Sequence, residues 1–370
     1  MKRWGFRLGL VTGGLLLGIV LAEVIVRMIG LPGDSDLLFN SPESSPIGLY
    51  VLDQQTRVIP AANFSAQVHS LDYKVQLRTN SLGLRGPEKV DKPQWIAVGD
   101  SFTMAVQVDE SETFAELIGN SINKHLWNAG VDGYSTWQSA IRYQQLSQSL
   151  PIEGILLTFF TGNDFHDNEL FPVLQNQPLP GKAGDPIPRE RTTAWRQFLL
   201  RYSYIYARYR IWNHRKKIQN QKGHFAQRWK DELSIFTTAG SQRLRGLAKQ
   251  TERALQNIKR AAGKKPIMVA IAPPAFVIDQ QRVAPTLELV GLNPQQASVD
   301  APQQEIIKIL KKQGIPHCDL SLALQQGQQQ NDMYFSADGH WTKAGHAVVA
   351  KAVAACIQEA YPTTTSPTKR

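Results

Sequence analysis

The stretch Trp95-Ile96-Ala97-Val98-Gly99-Asp100-Ser101-Phe102-Thr103 decides the fold. Four consecutive apolar residues without polar alternation read as a short strand buried on both faces. Gly99 then permits a sharp turn. Ser101 falls where a helix would begin, its hydroxyl beside free backbone N–H groups. The same rhythm runs outward from this stretch. It predicts a helix over 113–122, a strand over 126–131, a helix over 136–150 and a strand over 154–161. It returns with a helix over 244–262, a strand over 266–271, a helix over 303–312, a strand over 316–320 and a helix over 342–359. Strands alternating with helices predict an α/β fold, flavodoxin-like and doubly wound. Its mostly parallel five-stranded sheet is covered on both faces. Ligands in such a fold sit beyond the carboxyl ends of the strands.

A length of 370 residues bounds the chain to one to three domains. With 42% hydrophobic and 19% charged residues, it can bury a core and is not a disordered chain. No fixed-period repeat is present, which excludes solenoids and propellers. Two cysteines, Cys318 and Cys356, exclude a disulfide-stapled mini-domain and leave no CxxC motif. Cys318 closes a predicted strand and Cys356 sits on the last helix. A disulfide and two buried thiols fit that placement equally.

The net charge of +10 resembles a nucleic-acid signature until it is located. Between Arg189 and Lys230 twelve Lys and Arg residues stand against Glu190 alone, so this segment carries +11 and the remainder −1. The basicity belongs to one insertion.

Lys2, Arg3 and Arg7 precede an apolar or small run from Leu8 to Ala22, interrupted by Glu23 and resumed through Met28. A basic start followed by such a run is an export signal. The run before Glu23 has the length of a signal-peptide core, with Val20 and Ala22 matching the small-residue cleavage rule. Counted through Met28 it spans a bilayer, with Glu23 and Arg27 one helical turn apart near the outer interface. The uncleaved anchor is the preferred reading, because one carboxylate near the outer end costs little there. Either way the remainder works outside the cytoplasm. The organisation is then a signal-anchor over 1–30, and a linker with an accessory β-region over 31–90, including strand-like 73–77. A main domain follows over 91–360, with a basic helical insertion at about 185–235 and a flexible tail over 361–370.

The strand ends carry the chemistry. The first offers Ser101. The second runs into Asn128-Ala129-Gly130-Val131-Asp132-Gly133, whose Gly133 offers an unobstructed N–H. The third ends in Thr161-Gly162-Asn163-Asp164, offering an amide. Before the last helix comes Asp338-Gly339-His340-Trp341. A hydroxyl, a backbone donor, an amide donor and an Asp/His pair are the parts for acyl transfer. Each alone has a plainer reading: a turn, a helix cap, a packed histidine. Their joint position at one sheet edge does not. None of this chemistry needs a metal or cofactor. The chain has no HExxH, no Walker loop, no GxGxxG after a strand and no GxSxG elbow.

Gly99-Asp100-Ser101, the glycine of the second block, Gly162-Asn163-Asp164 and the C-terminal Asp/His pair resemble the SGNH, or GDSL-type, hydrolase superfamily. The similarity covers roughly Trp95 to Glu359 without the insertion. The 99–116 stretch, with Thr103, Val108, Asp109, Glu110 and Thr113, also looks like a membrane-anchored bacterial branch. The resemblance implies the SGNH hydrolase fold, with Ser101 as nucleophile, His340 as general base and Asp338 orienting it. It also implies an oxyanion hole from the Ser101 N–H, the Gly133 N–H and the Asn163 amide. One departure stands out. Most of the family spaces the pair as Asp-x-x-His, whereas residue 337 here is Ala and the pair is Asp338-x-His340. Some exopolysaccharide-modifying relatives carry an Asp-x-His-Trp version, which Trp341 matches. His346 is the rival base, inside the last helix.

On one helical wheel, Trp195, Phe198, Leu199, Tyr202, Ile205, Tyr206 and Tyr209 share a face, with Arg201, Arg208 and Arg215 beside it. Such a helix can lie on an anionic membrane or bind acidic polysaccharide, or it packs over the sheet with its arginines solvated. Nucleic acid is not an expected partner of an exported chain. The expected function is an extracytoplasmic serine esterase acting on a sugar, lipid or cell-surface polymer ester. The alternatives are an O-acyltransferase that passes the acyl group to a sugar hydroxyl, and a non-catalytic carbohydrate-binding protein.

Overall fold

The computed structural model describes residues 2–31, 46–88, 90, 94–187, 194–220 and 224–362. The expected linker before residue 46 and the tail beyond 362 lie almost wholly outside these residues, as do Arg189, Arg191 and Lys222 of the basic segment. Helix α1 (Lys2–Ile29) comes first. Its stretch Phe6–Ile29 has a mean hydropathy of 2.3 and is long and apolar enough to cross a membrane. Two antiparallel hairpins follow, β1 (Tyr50–Asp53) with β2 (Arg57–Pro60) and β3 (Ser65–His69) with β4 (Lys74–Arg78).

The central unit then alternates as its sequence predicts. It runs β5 (Gln94–Val98), α2 (Ser101–Met104), α3 (Phe114–Ile122), β6 (His125–Asn128), α4 (Thr136–Leu146), β7 (Ile152–Phe160) and α5 (Asp164–Gln175). The basic segment forms α6 (Ala194–Tyr202), α7 (Tyr204–Gln219) and α8 (His224–Ser234). After it come α9 (Ser241–Ala262), β8 (Ile267–Ala272), α10 (Ala301–Gln313), β9 (His317–Asp319) and α11 (Lys343–Ala360). The sheet order is β6-β5-β7-β8-β9 and every pair is parallel. This is the flavodoxin-like, doubly wound arrangement, with helices on both faces.

The pleat explains why the strands are apolar throughout. Ile96, Val98, Ile155, Leu157, Val269 and Ile271 face α4, α9 and α10. Their neighbours Trp95, Ala97, Leu156, Met268 and Ala270 face α3 and α11. The hairpins add a third cluster. Leu49, Tyr50, Val68, Tyr73, Val75 and Leu77 pack on Met104 at the end of α2 and on Val106, Val131 and Tyr134, in the loops beyond β5 and β6. The two hairpins therefore rest on the carboxyl edge of the sheet.

Two features differ from the sequence reading. The single wheel drawn over 195–209 is broken at Ser203, which sits in an extended conformation and caps α7 through its hydroxyl. Serine competes with the helical backbone for hydrogen bonds, so a polar stop inside an aromatic run ends one helix and starts another. The expected helix over 136–150 stops at Leu146, ahead of Ser147-Gln148-Ser149 and of Pro151, which disfavours helical backbone at Leu150. Cys318 and Cys356, left open between thiols and a bridge, form a disulfide that ties β9 to α11.

Candidate active site

Gly99 turns the chain at the end of β5 with φ +152°. A side chain there would meet the Thr103 hydroxyl and, at 2.9 Å, the Thr158 carbonyl of the neighbouring strand. Only glycine fits so close a backbone approach. Asp100 then caps α2, its carboxylate accepting the Phe102 N–H at 3.0 Å. Burial pushes Asp100 up to about 7, against the opposing pull of His340. The loop behind the serine is held from below by Arg85, a fully buried guanidinium. It donates to the carbonyls of Met104 at 3.1 Å, Ala105, and Val108 at 2.9 Å.

The structure brings Ser101, His340 and Asp338 into one hydrogen-bonded row. His340 Nε2 lies 2.7 Å from Ser101 Oγ, and His340 Nδ1 lies 2.5 Å from Asp338 Oδ1. The short Asp-x-His spacing closes because Gly339 between them has φ +80°, folding the aspartate back onto its own imidazole. Burial works against a charge on His340. The Asp338 carboxylate and its hydrogen bond outweigh that, and the imidazole pKa is raised. Burial likewise opposes ionisation of Asp338, but the charge and hydrogen bonds of His340, with one from Tyr73, hold its carboxyl below the usual range. The ring of Phe102 packs beside His340 at 4.8 Å between centroids.

Tyr73 is a residue the sequence reading missed. From the second hairpin its hydroxyl donates to Asp338 Oδ2 at 3.0 Å, so both oxygens of the acid are engaged. Beside it, Asp72 accepts the Ala337 N–H at 2.7 Å and fixes the loop that carries the pair. The rival base His346 is not part of the row. It is buried on α11, accepts the Phe114 N–H at 3.2 Å, stacks on the Phe114 ring, and is pushed down to about 3 by burial, Arg85 and His340.

Ser101, Gly133 and Asn163 stand at the carboxyl ends of β5, β6 and β7, which are neighbours in the sheet. Strands are about 4.8 Å apart, so the three expected donors occupy one edge. Among the described residues, no acceptor in the chain takes the Ser101 or Gly133 backbone N–H. Asn163 occupies the N-cap position of α5 yet makes no side-chain cap bond, which leaves its amide uncommitted. Among the described residues no group of three or more His, Cys, Asp or Glu could hold a metal ion.

A parallel five-stranded sheet in this order, with a serine opening the helix after β5 and a histidine before the last helix, defines the SGNH, or GDSL-type, class of hydrolase fold. The chain has that fold. Residues 235–370 match the family described as "SGNH hydrolase-like domain, acetyltransferase AlgX". Among solved structures, similar ones include a lipolytic G-D-S-L protein from Veillonella parvula, 13% identical, covering 72% of this chain and 97% of its own at a TM-score of 0.38. A catalytic mutant of the acetylxylan esterase Axe2 from Geobacillus stearothermophilus is 11% identical over 72% and 94%, at a TM-score of 0.38. A carbohydrate esterase family 2 enzyme from Corynascus thermopiles is 12% identical over 74% and 68%, also at 0.38. No curated protein matches the chain.

Proposed function

We propose that this chain is an extracytoplasmic serine enzyme that carries an acyl group on Ser101 and passes it to a carbohydrate hydroxyl. The observation that carries the reading is the row from Asp338 through His340 to Ser101, with separations of 2.5 and 2.7 Å. In the first half-reaction His340 Nε2 takes the Ser101 proton as Oγ attacks the acyl carbonyl. The same nitrogen then gives that proton to the departing alcohol. Asp338 keeps the Nδ1 proton in place and steadies the imidazolium. The Ser101 and Gly133 N–H groups and the Asn163 amide are the donors for the developing oxyanion, a role worth about 2.7–4 kcal/mol for one such donor. In the second half His340 activates the acceptor hydroxyl.

The sequence reading places water first as acceptor. The match of 235–370 to an acetyltransferase family moves the weight to a sugar hydroxyl. Hydrolysis is the same cycle completed by water, and the partly exposed Ser101 admits it. Two features support a location outside the cytoplasm, with α1 as an uncleaved anchor. One is the Cys318–Cys356 disulfide, which an oxidising compartment favours; the other is the apolar Phe6–Ile29 stretch behind a basic start. On this reading 46–88 is an accessory β-region serving the catalytic domain, and the substrate is an acyl ester of a sugar, lipid or surface polymer.

The test offers the purified full chain simple acetyl esters with and without neutral and acidic oligosaccharides, and follows products by mass spectrometry. Acylated oligosaccharide that disappears in Ser101→Ala is the expected result. Free acid alone, with acceptors present, would make the chain a hydrolase. Sugar binding without either product would make it a non-catalytic carbohydrate-binding protein.

A further inference from the structure

Glu23 is the one acid in the apolar stretch 6–29, and it is committed to the insertion. One oxygen accepts the Tyr204 N–H at 2.7 Å; the other accepts the Ile205 N–H at 3.2 Å and the Ser203 hydroxyl at 3.0 Å. These N–H groups are the unpaired donors of the first turn of α7, where the helix dipole favours a carboxylate. Two arginines close the joint. Arg27 pairs with Glu23 at 3.0 Å, donates to the Tyr202 carbonyl at 2.5 Å and lies over the Tyr204 ring at 5.1 Å. Arg208 donates to the Gly30 carbonyl at 3.0 Å. The end of α1 is therefore hooked onto the corner between α6 and α7.

Length fixes the level of that hook. From Phe6 to Glu23 a helix rises about 25 Å, close to the ~30 Å hydrocarbon core of a bilayer. If α1 crosses, the hook lies at the outer interface. At that level α6 and α7 leave Trp195, Phe198, Tyr202, Tyr209 and Trp212 between 46% and 60% exposed. Arg196, Arg201, Lys216 and Lys217 are exposed among them. Arg196 sits over Trp195 at 5.4 Å and Lys216 over Trp212 at 5.2 Å. Ala207, Ile211 and Ile218 of α7 are buried, so this helix already packs on the domain and presents its rings outward. Amphipathic aromatic rings concentrate at the headgroup level, and Lys and Arg beside them favour anionic lipid.

We propose that α6 and α7 form an interfacial platform lying in the outer surface of an anionic bilayer. The Glu23 hook fixes this platform to the crossing helix, so that the catalytic domain is held against the membrane rather than free on a tether. The inference rests on the anchor reading above, and the test separates the two. Its native cysteines being bridged, the full chain takes a single added cysteine at Phe198, Trp212 or, as an exposed apolar control outside the insertion, Leu322. Each variant is labelled with an environment-sensitive dye and reconstituted into phosphatidylethanolamine–phosphatidylglycerol vesicles. Resistance to alkaline carbonate extraction reads the anchor. Quenching by spin-labelled lipid reads the platform. The expected result is carbonate resistance for all three, with a blue shift and quenching at Phe198→Cys and Trp212→Cys but not at Leu322→Cys. Glu23→Leu, which makes α1 more apolar, should stay carbonate-resistant and lose most of the quenching at position 212. Carbonate resistance with no quenching at 198 or 212 would overturn the platform and leave the anchor standing. Extraction by carbonate would overturn both. A dye shift produced by acidic polysaccharide without lipid, and not by vesicles, would overturn the platform in favour of a glycan surface.

Discussion

His340 sets the acid limb of activity on this reading, because only its neutral imidazole can take the Ser101 proton. Burial opposes its charge, but Asp338 prevails and the pKa is raised above the ordinary 6.5. The rate should therefore climb with rising pH through a value above 6.5 and fall away below it. In Asp338→Asn the counter-charge is gone and burial acts unopposed by it, so the limb should move to lower pH while the rate drops by up to about 10⁴-fold. A limb that stays in place in this variant would assign the titration to another group. Ser101→Ala and His340→Ala should each abolish labelling by a fluorophosphonate, since members of such a row act as a unit. His346→Ala should keep that labelling and lose thermal stability instead, because the Phe114 N–H loses its buried acceptor. Loss of labelling in a folded His346→Ala would reassign the base. Tyr73→Phe removes the hydrogen bond to Asp338 Oδ2 and should lower kcat about tenfold with KM unchanged, the share of a charged hydrogen bond felt by the imidazole. An unchanged kcat would reduce Tyr73 to packing. Ser101, His340 and Asp338 were legible in sequence because each sits at a strand end or just before the last helix. Tyr73 was not, since it meets Asp338 across 265 residues, from the turn of a separate hairpin.

At the scale of elements, what could be read from sequence was what repeats. Buried parallel strands are uniform apolar runs, so β5, β7 and β8 announce themselves, and the helices between them follow from their periodicity. The break between α6 and α7 did not, because its signal is a single serine whose partner Glu23 lies 180 residues away. Arg85 is similar: it looks like one more surface arginine until the fold threads it beneath the serine loop. The disulfide needs two elements in register, and neither the strand nor the helix alone reports the 5.9 Å Cα separation it requires. Closing a chain segment of 38 residues should stabilise the domain by about 3–4 kcal/mol in the chain-entropy picture. Cys318→Ser/Cys356→Ser should thus lower Tm by several degrees, and the wild-type chain should show the same loss under a reductant. No difference between oxidised and reduced Tm would mean that the bridge constrains nothing the core does not already hold.

For the whole molecule, the fate of the first 22 residues decides what the hook can do. A signal peptidase cutting after Ala22 would leave Glu23 as a new N-terminus. The carboxylate would then lie beside its own ammonium group, at the frayed end of what had been a helix. The cap on α7, the Arg27 contacts to Tyr202 and Tyr204, and the Arg208 bond to Gly30 would all hang from the short stub 23–30. So short a segment is marginal as a helix in water, and the ordering of its residues would have to be recovered from those few contacts. An intact α1 supplies that order without cost, since its preceding turns are already helical. The geometry of Glu23 therefore favours retention. N-terminal sequencing of the mature protein should show that the residues ahead of Glu23 are retained, and the chain should stay with membranes after a high-salt wash that strips peripheral proteins. A mature chain beginning at Glu23, recovered in the soluble fraction, would refute the anchor. It would also leave the aromatic faces of α6 and α7 to be explained by a partner other than the bilayer.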